Sequence, residues 1–238
     1  MAFKIHPLTL SMLKIDQSQV TLRTGLGEKI WISINMWFIE GSKQNIIVDT
    51  GATAEQLQNY LNLPTKPIMC FEDALAKVDL TPDKIDLVIQ THLHHDHCAN
   101  TSKCVNAKII VQEDELRFAY FTHPVYEAIY DRKLLEDSKF IILKGNAKIM
   151  DGIEVLYTPG HSPGSQSVVI ETDKGKTIIA GFCSVGSNFN PPDDIKKRFP
   201  VIAPQSIDVL QAYDSTLMVK WLADIIIPLH DPAMPDPA

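Results

Sequence analysis

The sequence has 238 residues, with 22 Lys and Arg against 29 Asp and Glu, a formal net charge of −7. Hydrophobic residues make up 45% and charged residues 21%, a globular composition that excludes collagen-like, low-complexity and disordered classes. The acidic balance argues against a nucleic-acid partner, and no run approaches the roughly 20 apolar residues of a membrane-spanning helix. The segment Pro7 to Leu13 is interrupted by Thr9 and Ser11 and followed by Lys14 and Asp16, so no export signal is legible. A cytoplasmic setting is therefore expected, with Cys70, Cys98, Cys104 and Cys183 reduced. The length suits one domain over residues 1–238.

In chain order, Leu8, Leu10 and Met12 alternate with smaller or polar residues, Val20 and Leu22 repeat that period, and Ile30 to Phe38 alternates most clearly. These read as half-buried strands, with a hairpin turn at Leu26-Gly27. Ile46-Ile47-Val48 reads as a strand buried on both faces and stops at Asp49-Thr50-Gly51. Helices are predicted over Ala54 to Leu61 and Glu72 to Val78. A buried strand, Ile85 to Ile89, then runs into Thr91-His92-Leu93-His94-His95-Asp96-His97.

A strand at Ile109 to Val111 and a helix from Glu113 to Tyr120 follow, then an aromatic segment, 118–130, containing Pro124. Further strands are expected at Phe140 to Leu143, Ile153 to Tyr157, Val168 to Ile170 and Thr177 to Ala180. The segment 190–204 has four prolines and reads as a long binding loop or lid. A helix starts near Ser206 with Ile207, Leu210, Leu217 and Trp221 as its apolar face, and a last strand, Ile225 to Ile227, ends at Pro228-Leu229-His230.

The polar residues of interest follow strands, where α/β proteins place their sites. Residues two apart in an extended segment point the same way, so His92 and His94 can share one metal. Asp96 and His97 lie where the chain turns and can face a second. Neutral imidazoles with a carboxylate suit zinc, and also iron or manganese. His161 sits in a Gly/Pro-rich turn, Thr158 to Gly164, and His230 follows the last strand in Leu229-His230-Asp231-Pro232. Each alone reads as an ordinary histidine; together with the first motif they read as ligands. A bound divalent ion lowers the pKa of water to near 7 and polarises a carbonyl, so the set points to hydrolysis with Asp96 handling the proton.

The run THLHHDH resembles the HxHxDH signature of the metallo-β-lactamase superfamily. Asp49-Thr50-Gly51, the segment 158–170 and the terminal LHDP resemble its other landmarks, in the same order along the chain. The resemblance implies an α/β fold, an αββα sandwich of mixed sheets with helices on the outer faces, and a two-metal cleft. It implies that His92, His94 and His161 bind one metal, that Asp96, His97 and His230 bind the other, and that Asp49 orients a ligand. Turn capping is the alternative role for Asp49.

One departure is visible. The family places a metal-bridging aspartate after a strand between its last two histidine motifs. Here Ile179-Ala180-Gly181-Phe182-Cys183-Ser184 has Phe182 or Cys183 in its place. A Cys183 thiolate is a candidate substitute ligand, and a buried free cysteine is the alternative. Length, N-terminal strands and the final HDP look most like the N-acyl homoserine lactonases, in which metal-bound hydroxide opens a lactone or ester of a small-molecule substrate. Those enzymes usually carry a tyrosine three residues after that aspartate, where Val185 or Gly186 stands here. A glyoxalase II-like thioesterase is the alternative enzyme, although such enzymes typically add a helical C-terminal domain. A non-catalytic metal-binding protein on a degenerate scaffold is the alternative from outside enzymology. The N-terminal strands and the 118–130 segment offer a homodimer surface or, as the alternative, an ordinary core or cleft lining.

Overall fold

The computed structural model describes residues 2–231. The alternating N-terminal residues form one long hairpin, β1 (Lys4–Asp16) with β2 (Lys29–Glu40), paired from Lys4 opposite Glu40 to Asp16 opposite Lys29. A bulge between Thr9 and Ser11 interrupts the register once. Val20 and Leu22 do not continue the strand as expected. Asp16 accepts the Ser18 N–H and caps a single 3-10 turn, Gln17–Gln19, and the following residues turn back toward β2. Val20 is still fully buried, which explains its apolar character.

The first sheet continues through β3 (Ile46–Val48), α1 (Ala54–Tyr60), β4 (Thr65–Pro67), α2 (Phe71–Ala76), β5 (Leu87–Ile89), α3 (His95–Cys98), β6 (Lys108–Gln112), α4 (Glu113–Tyr120) and β7 (Lys139–Leu143). Its strand order is β4-β1-β2-β3-β5-β6-β7, antiparallel at the hairpin and parallel from β3 to β7. The second sheet contains β8 (Ala147–Met150), β9 (Ile153–Tyr157), β10 (Gln166–Thr172), β11 (Gly175–Ala180) and β12 (Ile225–Pro228), in the order β12-β11-β10-β9-β8. Between β11 and β12 the chain makes α5 (Gly186–Phe189), α6 (Asp193–Lys196) and α7 (Val209–Leu222). The 190–204 segment is thus not structureless, since α6 occupies its middle. Strands β4 and β8 are absent from the sequence prediction because neither has the apolar alternation that marks a strand.

The period of two along a strand explains the layers. Trp37 and Ile39 of β2 face one way, into a core shared with Val48, Ile89, Ile153, Val155, Val168, Ile170 and Ile179. Met36 and Phe38 face the other way, toward Phe71, Ala74 and Leu75 of α2. On the second sheet, Val169, Ile178 and Ala180 face outward to Val219 of α7. Two sheets therefore pack face to face with helices outside, the αββα sandwich.

Helix α7 departs from its expected face. Asp208, not Ser206, caps it, and Ala212, Ser215, Thr216 and Val219 are its buried residues, while Leu210 and Trp221 are 78% and 72% exposed. Small side chains let the helix approach the sheet and the His161 loop closely, which large apolar ones would prevent. Among the described residues no helix is long and apolar enough to cross a membrane.

Trp37 fills the space between the sheets and is 1% exposed. Trp37→Ala should lower unfolding free energy by about 3–5 kcal/mol, the usual cost of emptying such a site, measured by urea denaturation.

Candidate metal centre

Three strand ends and two loops converge on one edge of the sandwich. β3 ends at Asp49, which adopts φ 57°, the left-handed region that L-residues other than Asn and Asp seldom enter. This turn aims the Asp49 carboxylate at the segment after β5. Its Oδ1 accepts the Thr91 N–H at 2.7 Å, and its Oδ2 accepts the Thr91 hydroxyl at 2.8 Å and faces His97 Nδ1 at 2.8 Å. The carboxylate thus ties the start of the histidine motif to its end. The backbone of Thr50 adds a bond to the His97 carbonyl.

Helix α3 begins inside the motif, so its first residues fold back over the segment that carries His92 and His94. The ligand atoms of His92, His94 and His161 all lie within 4.8 Å of one another, and so do those of Asp96, His97 and His230. The rings of His92 and His97 are 4.1 Å apart, which makes the two triads neighbours. His97 Nε2 is 3.2 Å from Asp96 Oδ2, and His230 Nε2 is 4.0 Å from it. The six histidine and aspartate candidates are therefore brought together. Pro232, the last residue of the final motif, lies outside the described residues.

Three of the histidines are held by Nδ1. Thr91 Oγ1 meets His92 Nδ1 at 3.0 Å, the Gln205 carbonyl accepts from His161 Nδ1 at 2.6 Å, and the Ser33 carbonyl accepts from His230 Nδ1 at 3.0 Å. Nε2 of His92, His94 and His161 is buried with no hydrogen-bond partner in the protein, while His97 Nε2 faces the Asp96 carboxylate. Buried polar atoms are normally satisfied, so three orphaned imidazole nitrogens within 4.8 Å of one another fit a metal.

The electrostatics agree. Burial, together with the neighbouring histidines, holds His92 and His94 well below the usual imidazole range. Burial pushes His161 and His230 down to about 4. These rings are neutral at pH 7, as ligands must be. Burial opposes protonation of His97 too, but the Asp96 and Asp49 carboxylates on either side raise it to about 10 in the free protein. Burial works against the Asp96 charge, yet His97 and the nearby rings keep its carboxyl well below the usual carboxylate range.

The His161 loop is wedged between two helices. Gly160 has φ +124°, and a Cβ there would lie 2.2 Å from the Ala212 nitrogen of α7. A Cβ on Gly164 would lie 2.2 Å from the Glu115 nitrogen of α4. Both positions need glycine for this close approach. At the other end, the Ser33 hydroxyl and Asn35 amide of β2 donate to the Asp231 carbonyl, and the His230 N–H donates to the Ser184 carbonyl.

Cys183 joins neither triad. It packs beside Leu13, Ile32, Ile34 and Val185, and burial and the Asp96 charge push its thiol well up. Its sulfur is in neither group of clustered ligand atoms, and its neighbours are those of a packed side chain. Phe182 turns into the opposite core with Val169, Ile178 and Phe189. His95 also joins neither triad; its Nδ1 meets the Ile129 carbonyl at 3.3 Å and its ring packs 4.6 Å from Tyr60. His6 pairs with Glu40, and His123 caps the 3-10 turn Pro124–Tyr126. Sequence reasoning missed Glu115 and Tyr130. Glu115 reads as one of three acidic residues opening a surface helix, yet it is fully buried. Tyr130 stacks edge-on against His94 with ring centres 4.7 Å apart.

Beside the His161 loop lies a cleft of about 690 Å³ lined by Arg117, Phe118 and Phe121 of the α4 region, Tyr157, Pro163 and Ile207. The expected wall from segment 118–130 is therefore present next to this loop. Segment 190–204 contributes no lining residue to this cleft.

Residues 30–222 match the family described as the Metallo-beta-lactamase superfamily. The N-acyl homoserine lactonase AiiA of Bacillus thuringiensis subsp. kurstaki is 28% identical over 193 residues, spanning 74% of this chain and 73% of its own. The N-acyl homoserine lactonase AttM of Rhizobium radiobacter is 24% identical over 250 residues, spanning 96% and 93%. Among solved structures, a quorum-quenching N-acyl homoserine lactone lactonase superposes with TM-score 0.78 at 26% identity, covering 97% of this chain and 93% of that one. An N-acyl homoserine lactone hydrolase with N-hexanoyl-L-homoserine bound at its catalytic metal centre gives TM-score 0.75 at 27% identity, with the same coverages. The family match spans most of the chain, and the chain belongs to the metallo-β-lactamase superfamily.

Proposed function

We propose that this protein is a metal-dependent hydrolase that opens the lactone ring of N-acyl homoserine lactones. The observation that carries the reading is the pair of triads, with the orphaned Nε2 atoms of His92, His94 and His161 in one of them. His92, His94 and His161 would hold one divalent ion, and Asp96, His97 and His230 the other. Zinc is the metal we assign, because five imidazoles and one carboxylate match its preferred nitrogen and oxygen ligands. Ions held there would lower the pKa of water toward neutrality and polarise the lactone carbonyl.

The chain's own groups supply the rest. Asp96 is the one carboxylate within the triads, and its side chain is 17% exposed. Asp96 would accept a proton and return it to the departing ring oxygen. The cleft with Phe118, Phe121, Tyr157 and Ile207 gives an acyl tail an apolar wall. Cys183 acts in packing. The four cysteines are unpaired, in keeping with a reducing cytoplasm. The homodimer reading rests on Val125, which is 73% exposed, because the N-terminal strands enter the core instead.

A panel of acyl homoserine lactones, simple esters and thioesters tests this function. Lactones should turn over fastest, with efficiency rising as the acyl tail lengthens, and a chelator should abolish turnover until zinc is restored. A preference for thioesters would support the thioesterase reading, and turnover after complete demetallation would exclude both.

Asp49 fixes His97 by the nitrogen that does not face the centre, and removing such a partner typically costs about 10–100-fold in metal affinity. Asp49→Ala should therefore weaken one of two bound equivalents by that factor in a competition titration against a chromophoric chelator.

A further inference from the structure

Glu115 is a fully buried carboxylate that the proposed chemistry does not use. It sits in the first turn of α4, and its two oxygens accept four hydrogen bonds from three separate segments. Oε1 accepts the Leu93 N–H and the Tyr130 hydroxyl, both at 2.9 Å. Oε2 accepts the Ser162 hydroxyl at 2.6 Å and the Gly164 N–H at 3.0 Å.

Each donor lies next to a histidine of one triad. Leu93 stands between His92 and His94 in the chain. Ser162 follows His161, and Gly164 closes the same loop. Tyr130 packs its ring against His94. The segments after β5 and β9 belong to different sheets, and this carboxylate is a side-chain bond common to both. We propose that Glu115 is a positioning residue that sets the separation of the His92, His94 and His161 nitrogens by clamping these two loops together. This inference rests on the metal-binding reading of that triad.

The chemistry of the four partners makes the claim specific. Two are backbone N–H groups, one on each oxygen, and neither can act as acceptor. An ionised carboxylate satisfies all four donors. A glutamine cannot, because whichever way its amide is turned, its NH2 meets either the Leu93 or the Gly164 N–H. Glu115→Gln therefore keeps the size of the side chain while pushing one loop away.

The test measures zinc affinity of the parent and Glu115→Gln by competition with a chromophoric chelator, and the absorption spectrum of the cobalt(II)-loaded forms. Leu75→Ala, a core change in the α2 cluster far along the fold, serves as a control for lost stability. The parent should bind two equivalents. Glu115→Gln should bind one of them about 10–100-fold more weakly, the usual effect of removing a partner behind the ligands. Its cobalt spectrum should lose the contribution of that site. Leu75→Ala should bind both as the parent does.

If Glu115→Gln does not fold, Ser162→Ala and Tyr130→Phe each delete a single donor and should each weaken the same equivalent by a smaller factor. A folded Glu115→Gln that binds both equivalents like the parent, or both single-donor variants doing so, overturns the role of Glu115 alone. A parent protein that binds no metal overturns the metal-centre reading together with this one.

Discussion

Five imidazoles buried at one sheet edge, three with a nitrogen that meets no protein partner, form the constraint around which the rest of this structure is arranged. An unsatisfied buried polar atom costs roughly 1–3 kcal/mol, and several in contact would be hard to retain in a protein of ordinary stability without a ligand. The surrounding polar groups all act on the opposite ring nitrogen. Asp49, Thr91, the Gln205 carbonyl and the Ser33 carbonyl each fix one imidazole and leave the other edge free. The fold brings these groups from both sheets to one point, so the sandwich serves as the frame for the centre.

Much of this arrangement is legible in the sequence because local physics determines it. The His92 to His97 motif follows a buried strand, and its spacing alone separates two ligand pairs. The strand cores at Ile30 to Phe38 and Ile153 to Tyr157 appear where alternation is clear, and the helix Glu113–Tyr120 has its predicted bounds. Where apolar pattern and packing diverge, the reading departs from the structure. Leu210 and Trp221 look like a buried helix face but are exposed, because α7 approaches its neighbours through Ala212, Ser215 and Thr216. Val20 and Leu22 keep a strand-like period in a turn set by the Asp16 cap.

The supporting residues were beyond reach of local reading for a different reason. Glu115 has the sequence signature of a solvated residue at a helix start, where acidic side chains favour the dipole. Its burial follows only from the His161 loop folding onto α4, a contact 47 residues away in the chain. Tyr130 likewise acquires its place beside His94 from tertiary packing. The Phe182-Cys183 pair was ambiguous in sequence, since either residue can follow the end of β11. In the fold Phe182 enters the outer core and Cys183 fills space beside Ile32 and Val185. The triads then contain a single carboxylate, Asp96, which bears both the ligand role and the proton-handling role in the proposed chemistry.

The most direct measurement is an anomalous-scattering crystal structure of the zinc-loaded protein, collected on both sides of the zinc absorption edge. The account predicts two zinc peaks at this sheet edge. One should lie about 2.0–2.1 Å from the Nε2 atoms of His92, His94 and His161, and the other within similar distances of Asp96, His97 and His230, with no sulfur ligand at either. Zinc bound elsewhere, or a fully loaded crystal with no peak between these side chains, would contradict it.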